Sequence, residues 1–154
     1  MTQPYPGAEL ALFATARNWK RYVADTMAPF IGDRVLEVGA GIGGNIPYLH
    51  HARVRDWLCL EPDGAMAQGL AERIAAGELP ASCRVAASGT EAVARGDGFD
   101  SILYLDVLEH IADDRAELAR ATGLLGPGGA LIVLAPAHPF LFSPFDAAIG
   151  HYRR

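Results

Sequence analysis

The residues best equipped for chemistry begin with a glycine string, Gly39-Ala40-Gly41-Ile42-Gly43-Gly44, which follows directly on the apolar run Arg34-Val35-Leu36-Glu37-Val38. Glycines at this spacing form a tight strand-to-helix turn and let backbone amides approach a ligand closely. The string meets the dinucleotide spacing through Gly39, Gly41 and Gly44 and a tighter spacing through Gly39, Gly41 and Gly43. Alone it is also compatible with a turn that binds nothing. Two carboxylates narrow the choice. Glu61 ends the next apolar run, where a carboxylate can accept from both hydroxyls of a ribose; the plain alternative is a solvated strand end. Glu37 lies two residues ahead of the first glycine, where its charge would repel a pyrophosphate and attract ammonium and sulfonium groups. The plain alternative for Glu37 is an acid capping loop amides. Taken together, the acids predict a nucleoside ligand that carries positive charge.

Such groups need a sheet to position them, and the periodicity of the chain supplies one. Leu12, Ala16, Trp19, Val23, Met27 and Phe30 recur at spacings of three and four, which predicts a helix stopping before Gly32. Strands are predicted at 34–38, 57–60, 84–87, 101–105 and 130–134. A short helix is expected from Asn45, and another after Asp63, with Met66, Leu70 and Ile74 on one face and a stop at Gly77. A further helix is capped by Asp113 or Asp114. Strands alternating with helices, and too apolar to have a wet face, imply a parallel sheet covered on both sides. Right-handed crossovers then favour a Rossmann-like, doubly wound α/β sheet of about five strands in the order 3-2-1-4-5.

Length and composition set the outer bounds. A chain of 154 residues holds one domain, and 51% hydrophobic with 20% charged residues is enough to bury a core. A net charge of -5, with Arg153-Arg154 the one tight basic cluster, argues against nucleic acid and for a small partner. Cys59 and Cys83 sit inside apolar runs and read as buried thiols rather than a disulfide or a zinc site, which fits a cytoplasmic compartment. No apolar run is long enough to span a bilayer, and no signal-peptide pattern opens the chain.

Four segments, VLEVGAGIGGN at 35–45, LEPD at 60–63, FDSILYLDVLEHIADD at 99–114 and LLGPGGALIVLAPA at 124–137, resemble successive motifs of the class I S-adenosylmethionine-dependent methyltransferases. They occur in that family's order, and the chain is similar in particular to bacterial members that methylate small molecules. The resemblance implies S-adenosyl-L-methionine as cofactor. Glu37, Gly39, Gly41 and Gly43 would lie beside its methionine part, and Glu61 on its ribose. Ser88 and Gly89 fall where the family lines the adenine pocket, although many members carry an Asp where this chain has Ser88. Asp106 falls at the methyl-transfer end, with capping of the following turn as its alternative role.

Methyl transfer asks mainly for aligned reactants, because the sulfonium already activates the methyl group. If the acceptor is a hydroxyl, a side chain must also take its proton. His110, in the LEH motif, is the first candidate for that base, with contact to loop backbone as its alternative role. His138, Asp146, His151 and Arg153 are candidates for the acceptor pocket. The family's sheet continues with two further strands, one antiparallel, whereas this chain stops soon after the fifth. The expectation is therefore a truncated domain, or a fifth-strand edge covered by a partner such as a second copy, or by the segment 140–152 folding back. Two other function classes remain open: a nicotinamide-dependent oxidoreductase, for which a Tyr-x-x-x-Lys pair is missing, and a non-catalytic subunit that retains the fold.

Overall fold

A computed structural model of the chain describes residues 15–94, 96 and 98–154. Five strands, β1 (Arg34–Val38), β2 (Asp56–Leu60), β3 (Cys83–Ala86), β4 (Phe99–Leu105) and β5 (Leu125–Leu134), form one sheet in the order β3-β2-β1-β4-β5. Every neighbouring pair is parallel, as the alternation of elements predicts. The helices are α1 (Arg17–Met27), α2 (Ile46–Leu49), α3 (Gly64–Ala75), α4 (Asp114–Thr122) and α5 (Pro144–Ala148).

Side chains alternate across the pleat, so each central strand feeds two cores. Val35, Trp57, Cys59 and Leu103 pack on one face with Ala24 and Met27 of α1 and Leu70 of α3. Leu36, Leu58, Leu60, Ile102 and Tyr104 pack on the other with Ala121 of α4 and the following Leu124. Glu37 shares the parity of Val35, and therefore points into the face that α1 and α3 cover. Local signals place the helix starts. Asp63 accepts from the amides of Ala65 and Met66 at the head of α3, and Asp113 accepts from Ala116 at the head of α4.

Two expectations are corrected. The apolar stripe assigned to the first helix does not pack as a unit: Val23 and Met27 face the core with Ala24, whereas Trp19 and Phe30 stand exposed. Phe30 lies in a 3₁₀ turn (Ala28–Phe30) that rotates it away from the helical stripe; Leu12 lies outside the described residues. The last strand is also longer than the apolar run 130–134, beginning at Leu125, with a register irregularity opposite Phe99 and Ser101. Its proline is tolerated because β5 is an edge strand. The segment 140–152 does not pair with that edge. It forms α5 and returns to the end of β4, where the Tyr152 amide donates to the Glu109 carbonyl at 2.7 Å. No helix among the described residues is long and apolar enough to cross a membrane.

The entry to β1 depends on one close approach. The Asp100 carboxylate accepts from the amides of Asp33 and Arg34, at 3.0 and 2.9 Å, and Ser101 Oγ bridges the Gly32 amide and the Phe30 carbonyl. A Cβ on Gly32 would come within 2.3 Å of Asp100 Cβ. Gly32→Ala is therefore expected to lower the unfolding free energy by about 1–3 kcal/mol in urea titration. An unchanged midpoint would show that Asp100 can move away without losing these bonds.

Candidate functional site

In a doubly wound sheet the strand order reverses at one point, and the crevice above the carboxyl ends there is where ligands bind. Here the reversal lies between β1 and β4, and a cavity of about 280 Å³ opens at that point. Gly39, Gly41 and Asn45 form its floor on the β1 side, Asp106, Glu109 and His110 line it after β4, and Asp146 and His151 close it from the last segment.

The glycine turn is built as its sequence implies, with Gly39, Gly41 and Gly43 all at positive φ. Gly39 is also pressed against the β4 side of the crevice: a Cβ there would lie 2.6 Å from Val107 Cγ2. Glu61 holds this turn in place. Its Oε2 accepts from the Gly41 amide at 2.7 Å and its Oε1 from the Asp63 amide at 2.9 Å. An ionised carboxylate has about four lone-pair sites, so two are left over by these amides. Ser88, after β3, has its hydroxyl out of solvent contact with no hydrogen-bond partner among the described residues. The Gly89 amide beside it donates to Glu91.

Glu37 is buried beneath the turn, only 1% exposed, and accepts from Trp57 Nε1 at 3.1 Å and from Asn45 Nδ2 at 3.4 Å. Burial pushes its carboxyl up to about 7, against the opposing pull of these two hydrogen bonds and of the Lys20 charge. It does not cap loop amides. Lys20, on α1, escaped the sequence reading because it sits among polar neighbours on a surface-type helix. Its Nζ donates to Asn45 Oδ1 at 2.7 Å, and burial lowers its pKa while Glu37 and Asp106 act in the opposite sense. Asp106 takes a positive φ, uncommon outside glycine, which turns its side chain into the crevice. Burial raises its pKa, opposed by the charges of Lys20 and His151.

Of the residues assigned to the acceptor side, the fold brings together His110, Asp146 and His151. The rings of His110 and His151 meet edge to face at 4.6 Å, and His151 Nδ1 lies 3.1 Å from Asp146 Oδ1. Asp146 also accepts from Ser143 and, at 2.8 Å, from Arg154 Nε; these donors hold its carboxyl well below the ordinary range. Arg153 turns away to the carbonyls of Leu108, Ile111 and Ala112, and His138 stands outside the cavity against Phe140. Glu109 was not singled out from the sequence. It is 2% exposed, its Oε2 has no hydrogen-bond partner among the described residues, and burial, with Asp106 adding to it, raises its carboxyl to about 7.

A glycine turn fixed by an acid, below a cavity lined by carboxylates at the switch point of a parallel sheet, defines a doubly wound α/β domain with its crevice at the usual ligand position. Residues 36–131 match the family model described as a methyltransferase domain, and the chain belongs to that family. Among curated relatives, it is 34% identical over 116 residues to the ubiquinone biosynthesis O-methyltransferase of Dinoroseobacter shibae, an alignment covering 68% of this chain and 41% of that protein. It is 28% identical over 136 residues to the demethylmenaquinone methyltransferase of Beutenbergia cavernae, covering 88% of this chain and 54% of the relative. The chain thus spans about half the length of the curated relatives it matches. Among solved structures, an S-adenosylmethionine-bound amino pentose methyltransferase from Micromonospora echinaspora superposes with a TM-score of 0.67 at 22% identity, covering 93% of this chain and 61% of that one. This likeness carries the fold.

Proposed function

We propose that this chain binds S-adenosyl-L-methionine in the crevice between β1 and β4 and serves methyl transfer to a hydroxyl of a small-molecule acceptor. The observation that carries this reading is the acid-lined cavity directly above the family's glycine turn. The residues present suit the cofactor. Glu37, Asp106 and Glu109 offer negative charge to a cationic ligand, Glu61 retains lone pairs for a ribose, and the orphaned Ser88 hydroxyl suits the polar edge of an adenine. When bound, S-adenosylmethionine supplies a methyl group on a positive sulfur, so transfer to oxygen breaks the C–S bond with its electron pair leaving on sulfur.

What remains for the protein is to align the acceptor and handle its proton. His110 and His151 both line the cavity, where either could take that proton, and Asp146 orients the second of them. The quinone-related names of the curated relatives favour a phenolic or similar small hydroxyl acceptor. Burial of the Cys59 and Cys83 thiols, which raises the pKa of both, suits a cytoplasmic protein, and pairing of a second copy along β5 would cover its edge.

Calorimetric titration tests the cofactor assignment against the nicotinamide alternative. S-adenosylhomocysteine is expected to bind saturably and NAD not to bind. The reverse result would replace the methyltransferase reading with the oxidoreductase one. Saturable S-adenosylhomocysteine binding with no methyl transfer to any of a mixed set of hydroxylated acceptors would favour the non-catalytic subunit.

A further inference from the structure

We propose that Glu109, His110 and His151 form a divalent-cation site, open toward the cavity and suited to a zinc-like or manganese ion. One potential ligand atom from each of the three lies within 4.8 Å of the others. Tetrahedral binding at about 2.1 Å sets ligand atoms about 3.4 Å apart, so the groups would close by up to about 1.4 Å through side-chain rotation.

The independent sign of a missing ligand is Glu109. A carboxylate oxygen that is shielded from water and has no hydrogen-bond partner among the described residues is costly to keep, and such an atom in a native fold calls for an occupant. The second sign is the way His151 is held. Metal-bound histidines commonly donate their other ring N–H to a carboxylate, which fixes the tautomer and aims the remaining nitrogen. Asp146 meets His151 Nδ1 at 3.1 Å, and is itself held at 2.7 Å by Ser143 Oγ and at 2.8 Å by Arg154 Nε. That arrangement leaves Nε2 of His151 for a cation.

The site is also rigid across a long sequence separation. The Tyr152 amide donates to the Glu109 carbonyl at 2.7 Å, and Arg153 Nη1 donates to the carbonyls of Leu108 at 2.9 Å and Ile111 at 2.5 Å. The segment carrying His151 is thereby stapled to the turn carrying Glu109 and His110. Arg153 thus has a structural role where the sequence suggested contact with the acceptor.

Two imidazoles and one carboxylate favour zinc, manganese or ferrous iron over calcium or magnesium, which prefer all-oxygen sets. Three protein ligands leave a coordination position open, and all three residues line the cavity. This deepens the proposed function, and rests on it in one respect: the open position would take the acceptor hydroxyl. Coordination would lower the pKa of that hydroxyl and its proton would pass to water; the oxygen would then take the methyl group of S-adenosylmethionine as the C–S bond breaks, with its electron pair leaving on sulfur. His110 then acts as a ligand, and no protein base is required.

The test is calorimetric titration of the chain with ZnCl₂ and with MnCl₂, without S-adenosylmethionine, alongside thermal unfolding to verify that each variant is folded. One saturable site per chain is expected. Glu109→Gln and His151→Ala should each weaken it by at least tenfold, and Asp146→Asn by about 10–100-fold. His51→Ala, at a residue that does not line the cavity, should leave it unchanged. If the folded chain binds neither ion at millimolar concentration, or if Glu109→Gln and His151→Ala bind as tightly as the parent, the site is disproved. Absence of cation binding with S-adenosylhomocysteine binding intact would overturn the cation site alone and return the acceptor proton to the imidazole of His110. Cation binding without S-adenosylhomocysteine binding would uphold the site and sink the cofactor reading.

Discussion

Glu37→Gln is expected to make the protein more stable at pH 8 while weakening its hold on S-adenosylmethionine. Burial raises the Glu37 carboxyl from 4.5 to about 7. Between those values the folded chain retains a proton that the unfolded chain has lost, so stability falls as pH rises through this window. Above pH 7 the full penalty is present, about 3 kcal/mol for a gap of this size. Below pH 4.5 both states are protonated and the penalty vanishes. A glutamine keeps a carbonyl for Trp57 Nε1 and carries no charge, so urea titrations of the variant should show a gain approaching about 3 kcal/mol at pH 8 and no gain at pH 4.5. The same change removes an anion from beneath the glycine turn, and affinity for S-adenosylmethionine should fall on the order of 10–100-fold. Equal stability of the two proteins at pH 8 would mean that the buried carboxylate ionises without penalty, and the electrostatic reading of this position would fail.

His110→Ala is expected to lower kcat for a hydroxyl acceptor by about 10²–10⁴. The imidazole lines the cavity and packs edge to face on His151, in the turn after β4 rather than in the glycine turn. The affinity for S-adenosylhomocysteine should therefore change little. The loss is expected whether the ring receives the acceptor proton or holds a cation, and cation titration separates these roles. An unchanged rate would remove His110 from the reaction in either capacity.

Much of the architecture was legible in the chain. Strands β1 and β4 read as strands because both faces are buried, which leaves continuous apolar runs, and Asp63 and Asp113 announced helix starts through the donors they satisfy. The start of β5 was not legible, since Gly126, Pro127, Gly128 and Gly129 look like a break and extend only because Leu125 pairs with Phe99. The site was legible in part. Glu37 and Glu61 were singled out from their places two residues before the glycine turn and after the second strand, and the fold sets both against that turn, Glu61 through the Gly41 amide and Glu37 through Asn45 just beyond it. Lys20 and Glu109 were missed: Lys20 has no local feature that points to Asn45 twenty-five residues on, and Glu109 looks like any acid in a polar turn.

The sequence by itself determined the class of fold and the place of the glycine turn, because periodicity, capping and glycine spacing are properties of neighbouring residues. Only the tertiary structure decided which groups share one cavity, that Asp146 belongs to His151, that Arg153 is a staple, and that Glu37 and Glu109 ionise with difficulty. Those outcomes depend on burial and on contacts between distant segments, and solvation of a carboxylate is set by whatever the fold packs around it.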